Sequence, residues 1–95
     1  MYRDDRFEWD EEKDRSNKAK HGIRFRDACG AFDDPNGLDV PDERYSDNRW
    51  LLIAQIPLTT LVVTIVYTER GERDRIISAR VATRAEERTY YARGD

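Results

Sequence analysis

His21 is the only histidine in the chain. Histidine is the side chain whose charge ordinarily changes near neutral pH, so general acid–base work there falls first to it. Lys13 and Asn17 precede it by two helical turns and one, and Lys20 is its neighbour. Residues spaced i, i+4 and i+8 share one helix face. A row of amine, amide and imidazole could line a polar cleft, hold an anion and move a proton. A second group lies near the C-terminus. Arg80 stands at a strand end, Thr83 is placed to cap a helix, and Arg84 falls in its first turn. Free backbone N–H groups beside two guanidinium groups suit a single phosphate. Arg75 opens the same strand, and simple alternation puts it on the face opposite Arg80. Tyr90 could stack on a base or give a proton.

Each group also has a plainer reading. Lys20-His21-Gly22 could mark the end of a solvated helix, with cations near its C-terminus and a stop. Arg80 or Arg84 could pair with Glu86, Glu87 or the acidic first helix. Tyr90 and Tyr91 could be packing residues. Cys29 sits on the apolar face of a helix and reads as a core filler.

The elements that must position these residues are legible in the pattern. Phe7-Glu8-Trp9 alternates as a short strand. Asp10 is placed as an N-cap, with Glu11 and Glu12 in the first turn of a helix that runs to Lys20-His21 and stops at Gly22. Between Glu11 and His21 the one apolar residue is Ala19. A helix without an apolar stripe needs another reason to stay docked. Phe25, Ala28, Cys29 and Phe32 form one apolar face of a second helix, expected from Phe25 to Phe32. Leu38-Asp39-Val40 reads as a short strand, and Pro41 to Asn48 as a polar, mobile loop. Strands are expected over Arg49–Ile56, Leu61–Tyr67 and Arg73–Val81, joined as an antiparallel meander. Thr83-Arg84-Ala85-Glu86 is a capping box, so a last helix spans Arg84 to Tyr91. The expected fold is α+β: one domain over 1–95, an antiparallel meander near 49–81, two N-terminal helices and one C-terminal helix.

Composition narrows the function classes. The 95 residues are 39% charged, yet 17 Lys+Arg against 20 Asp+Glu leave a net charge of −3. No apolar run reaches the roughly 18–20 residues of a membrane span. The N-terminus lacks the apolar stretch of a signal peptide. One cysteine makes neither an internal disulfide nor a zinc cluster. The Asp-rich stretches lack calcium-loop spacing. No metal site and no cofactor is expected, and a cytoplasmic setting is. Residues 1–48 carry nine basic and fourteen acidic side chains, whereas 49–95 carry eight arginines, no lysine and six acids. Arginine suits bidentate contacts to phosphate or carboxylate, which hints at an anionic partner for that half. A pI near 5.2 argues against broad coating of nucleic acid, so any such contact is local.

Two long runs resemble the BrnT family. The first is Phe7-Glu8-Trp9-Asp10, then Lys13, Asn17, Lys20-His21-Gly22, Phe25, Ala28 and Phe32-Asp33-Asp34-Pro35. The second is Val66-Tyr67-Thr68-Glu69-Arg70-Gly71, Arg75-Ile76-Ile77-Ser78-Ala79-Arg80, then Thr83-Arg84, Glu87 and Tyr90. Together they cover Phe7 to Tyr90. The sequence departs from the family pattern at Ala54-Gln55-Ile56-Pro57, where members often carry a glycine-containing turn.

The resemblance implies a RelE-like ribonuclease toxin of a bacterial type II toxin–antitoxin pair. It implies a BrnA-type, DNA-binding antitoxin that blocks the toxin and takes the complex to promoter DNA. The implied reaction is metal-independent RNA cleavage, in which the ribose 2′-OH attacks the adjacent phosphorus. Such a step needs a base, an acid and charge stabilisation of the phosphorane. The residues expected to act are Arg80 and Arg84 on phosphate and His21 or Lys20 in proton transfer. Lys13, Asn17, Arg75 and Tyr90 are expected to position substrate. A catalytically inactive module that pairs with a DNA-binding antitoxin is the competing expectation, which toxicity on expression without a partner would discriminate.

Overall fold

The computed structural model describes residues 1–45 and 48–93. Six strands form one sheet: β1 (Tyr2–Arg3), β2 (Phe7–Trp9), β3 (Leu38–Pro41), β4 (Trp50–Gln55), β5 (Val62–Arg70) and β6 (Arg73–Val81). Their spatial order is β1-β2-β6-β5-β4-β3. The helices are α1 (Glu11–His21), α2 (Phe25–Ala28) and α3 (Arg84–Arg93).

The expected meander is present in β4, β5 and β6, which pair antiparallel. The sheet as a whole is mixed, not antiparallel, because β2 lies parallel to β6, with Phe7 opposite Asp74 and Glu8 opposite Arg75. Alternation within a strand says nothing about the direction of its neighbour. The parallel pairing has a consequence for position. It sends the chain out of β2 toward the C-terminal half of β6, where α1 docks.

Alternation divides β2 between two faces. Phe7 and Trp9 enter the main core with Phe25, Leu52, Ala54, Val63, Ile65, Tyr67, Ile76 and Ala79. Glu8 points the other way. On that second face a smaller apolar group, Ile53, Val62 and Tyr90, packs with Leu38, Val40 and Ala82. Helices α1 and α2 lie over the main core. Helix α3 covers only the Ile53–Val62 end of the second face.

Helix α1 stays docked through hydrogen bonds. Asn17 Nδ2 donates to the carbonyls of Ile23 and Ala79 at 2.8 Å each, and Asn17 Oδ1 accepts from Ala79 N–H at 3.1 Å. On β6, strand β2 pairs with Asp74 and Arg75, so among the described residues no strand lies beside the outer edge of β6 at Ala79. The Asn17 amide supplies the missing backbone partner. Asp14 Oδ1 accepts from Phe25 N–H at 2.8 Å and so holds the first turn of α2. Asn17 and Asp14 are both buried, at 6% and 9% exposure. Asp10 caps α1 by accepting from Glu12 and Lys13, and Gly22 ends it at φ +76°.

The second helix is shorter than its apolar spacing predicts. After four residues it tightens into a 3₁₀ turn, Cys29–Asp33. A Cβ on Gly30 would stand 3.2 Å from Pro57, so the chain passes close beneath the β4–β5 hairpin at that point. Of the expected apolar face, Phe25 and Ala28 are fully buried and Cys29 and Phe32 pack half-buried against the core, while the tighter pitch turns Ala31 inward as well.

The polar segment 41–48 is better tethered than its composition predicts. Asp42 is 4% exposed and accepts from Arg44 Nε and Nη2 at 3.0 Å each. Asn48 makes two hydrogen bonds to the backbone of Glu69. Ser46 and Asp47, at the centre of the expected mobile loop, lie outside the described residues.

Candidate functional site

The capping box at the start of α3 forms as its spacing requires. Thr83 Oγ1 accepts from Glu86 N–H at 3.1 Å, and Glu86 Oε1 accepts from Thr83 N–H at 2.8 Å. The same carboxylate takes Arg80 in a two-point contact, Nη1 at 2.7 Å and Nη2 at 3.0 Å, and accepts from Thr64 Oγ1 at 2.9 Å. The place foreseen for a bound anion at this helix end is thus filled by the protein's own carboxylate. The Arg80 hydrogen bonds hold the Glu86 carboxyl down to about 2. The same contact raises Arg80, and the charge of nearby Arg44 opposes it. A guanidinium has five N–H donors. Glu86 engages two of them, so Arg80 is oriented and retains Nε–H and an outer Nη2–H. Arg84, one residue past the cap, is exposed.

The polar row of α1 divides by depth. Lys13 and Lys20 are exposed, and His21 is half-buried. Asn17, between them, has both ends of its amide engaged by backbone. It ties the helix bearing Lys20 and His21 to Ala79, the strand residue next to Arg80.

Arg75 and Arg80 lie on the same side of the sheet, contrary to simple alternation. Val66 pairs with Ser78 but Tyr67 pairs with Ile76, so Ile77 is an extra residue, a β-bulge. A bulge shifts the alternation by one. Ile76 and Ala79, three residues apart, both enter the main core. Arg75, Ser78 and Arg80 therefore share the second face. Arg75 pairs there with Glu8, Nη1 to Oε2 at 3.3 Å, and Arg3 meets the other Glu8 oxygen at 3.5 Å.

Tyr90 is 4% exposed, and its hydroxyl donates to Asp34 Oδ2 at 2.6 Å. Burial, with that hydrogen bond, pushes the phenol up to about 12. Its hydroxyl anchors α3 to the turn at Asp34.

The eight foreseen residues are thus not one contact network: beyond the backbone ladder of α1, no side-chain hydrogen bond or ion pair among the described residues joins any two of them. Each of Asn17, Arg75, Arg80 and Tyr90 is instead held by a partner that sequence reasoning did not pair with it or gave as an alternative. Glu8 and Asp42 are buried acids and Glu86 a half-buried one, each under more exposed arginines: Glu8 under Arg75, Asp42 under Arg44 and Arg49, Glu86 under Arg80. One signal for Glu8 was available. A charged residue between two aromatic core residues of a strand must face the other side. Among the described residues, no three of His, Cys, Asp and Glu gather as they would to hold a metal ion. No described helix is long and apolar enough to cross a membrane.

This arrangement can orient guanidinium donors on one sheet face, while Asn17 ties the helix that carries Lys20 and His21 to the β6 backbone at Ala79. The fold is similar to that of the ribonuclease toxin BrnT of Brucella abortus, solved by crystallography. The TM-score is 0.67 at 23% identity, over 83% of this chain and 97% of that one. No curated protein matches the sequence. Residues 9–86 match the family model described as the ribonuclease toxin, BrnT, of type II toxin–antitoxin systems. With both polar clusters lying inside that span, the chain belongs to the BrnT family.

Proposed function

We propose that this chain is a cytoplasmic endoribonuclease toxin of RelE-like type, neutralised by a BrnA-type antitoxin that carries the complex to promoter DNA. The reaction is metal-independent cleavage by the ribose 2′-OH, leaving a 2′,3′-cyclic phosphate. The observation that carries this reading is the orientation of Arg80. A guanidinium fixed by two contacts to a half-buried acid presents its remaining donors without first losing side-chain freedom. Charge developing on a phosphorane is best met by donors already in place.

In this mechanism Arg80 and Arg84 hold the scissile phosphate. His21 or Lys20, on the last turn of α1, takes the 2′-OH proton or returns one to the 5′-oxygen. Lys13 and Arg75 meet flanking parts of the RNA. Asn17 and Tyr90 act as positioning residues through α1 and α3, since their polar atoms are engaged within the protein.

The internal pairing of Arg75 and Arg80 also favours a second reading, an inactive module that only pairs with an antitoxin. Expression in bacteria separates the two. The toxin reading expects growth arrest, relieved by Arg80→Ala and by a co-expressed antitoxin. Normal growth with abundant, folded wild-type chain would overturn it.

A further inference from the structure

The second sheet face carries a cross-strand row that the scissile-phosphate site does not use. Arg3 lies opposite Glu8, Glu8 opposite Arg75, and Arg75 opposite Thr68. Arg49 continues the row. Its neighbours fix its place: Asn48 bonds the backbone of Glu69, and Trp50 pairs with Tyr67, which leaves Arg49 against Thr68. Asp42 N–H donates to the Arg49 carbonyl at 2.8 Å, and the Asp42 carboxylate lies 3.6 Å from Arg49 Nε.

Two polar atoms at the middle of this row have no hydrogen-bond partner among the described residues, Thr68 Oγ1 and Arg49 Nε. Buried polar groups are almost always paired, so two orphans at adjoining positions need an explanation. Thr68 stands in the row between two half-buried arginines, whose side chains are 23% exposed for Arg75 and 25% for Arg49. Arg3, Arg75, Arg49 and Arg44 outnumber Glu8 and Asp42, the carboxylates they pair with, so the row is cationic. The Arg49 guanidinium also stacks over the ring of Tyr45 at 3.9 Å.

We infer that Arg49 and Arg75, with Thr68 between them, form a second subsite that binds a non-scissile phosphate of the RNA backbone. The inference rests on the ribonuclease reading and extends it along the strand. Arg75 is opposite Thr68 and Arg80 opposite Thr64, four residues apart on β5. At roughly 3.3 Å per residue the two backbone positions are about 13 Å apart. The two subsites therefore take different phosphates of one chain. Guanidinium forks suit phosphate oxygens, and a free hydroxyl supplies a donor or acceptor for whichever group turns toward it. Arg44 keeps Asp42 neutralised through two contacts of 3.0 Å, so Arg49 is dispensable for holding that segment.

The test uses a 2′-O-methyl RNA hexamer, which lacks the attacking hydroxyl and cannot be cleaved. Its binding to the wild type, Arg49→Gln and Thr68→Val is followed by fluorescence anisotropy at several salt concentrations, with melting curves to verify folding. Arg49→Gln is expected to bind about five- to tenfold more weakly at low salt. It should flatten the slope of log K against log salt by about 0.7, one single-strand phosphate contact. Thr68→Val should melt no lower than wild type yet bind about two- to threefold more weakly. Equal affinity and slope in folded Arg49→Gln overturn the subsite, even if that variant captures an acidic protein partner less well. If wild type cleaves ordinary RNA while Arg49→Gln binds the hexamer normally, only the subsite is wrong. If wild type neither cleaves nor binds, the ribonuclease reading falls with it.

Discussion

Glu86 and Arg80 meet in a two-point ion pair, at 2.7 and 3.0 Å, and the same carboxylate closes the N-terminal cap of α3 through Thr83. One side chain thus orients the arginine and starts the helix. Removing Glu86 should disturb both, whereas removing Arg80 should leave the cap in place. Arg80→Ala is expected to lower RNA cleavage by about a hundredfold or more while far-UV dichroism stays native. Glu86→Gln keeps the cap acceptor and weakens the arginine's anchor, so a smaller loss is expected. Cleavage rates on a defined RNA check the order.

The same pair sets an acid limit on stability. The Glu86 carboxyl titrates near 2 in the folded chain, below the ordinary glutamate range, because Arg80 hydrogen-bonds its charged form. A depressed folded-state pKa adds stability that is present above the unfolded value and lost as pH falls through the folded one. The melting temperature should therefore fall between about pH 4.5 and pH 2. Glu86→Gln should lose less over that window. Parallel melting curves would contradict the assignment.

Asn17 closes the free edge of β6 at Ala79 with its amide. Asn17→Ala would leave the Ala79 N–H and two carbonyls without those partners. The expected cost is about 2–3 kcal/mol, read from urea denaturation. Asn17→Asp keeps the acceptor but loses the donor, and should also be destabilised.

The hairpin tip offers a change in the opposite direction. Thr59 N–H donates to the Ile56 carbonyl across Pro57 and Leu58, and Leu58 sits at φ +65° with its side chain fully exposed. A turn of this kind normally places glycine there. Leu58→Gly should raise stability by up to about 1 kcal/mol, relief of left-handed strain being partly offset by chain entropy. A lower denaturation midpoint would contradict this.

Much of the frame was legible in the sequence, for local reasons. Asp10, Gly22 and the Thr83–Glu86 box fix the ends of α1 and the start of α3 through contacts within four residues. The β-branched run from Val62 marks the central strand. What escaped were relationships set by tertiary pairing. The direction of β2 against β6 leaves no trace in Phe7-Glu8-Trp9. The bulge at Ile77 moves Arg75 onto the face of Arg80, and a run as apolar and even as Ile76-Ile77 hides it. The docking of α1 was legible only as a lack of apolar residues, since buried Asp14 and Asn17 look like any solvated polar pair until their partners are seen. Of the site, the Arg80–Thr83 corner was visible with Glu86 already among its possible partners. The buried acids Glu8 and Asp42 were not, because nothing local distinguishes a carboxylate beneath an arginine from one in solvent.

The most direct test of the account is cleavage of a defined RNA by the purified, refolded chain in excess EDTA, beside Arg80→Ala. The account predicts cleavage by the wild type alone, with 2′,3′-cyclic phosphate ends. Cleavage that EDTA abolishes, or equal cleavage by folded Arg80→Ala, would contradict it.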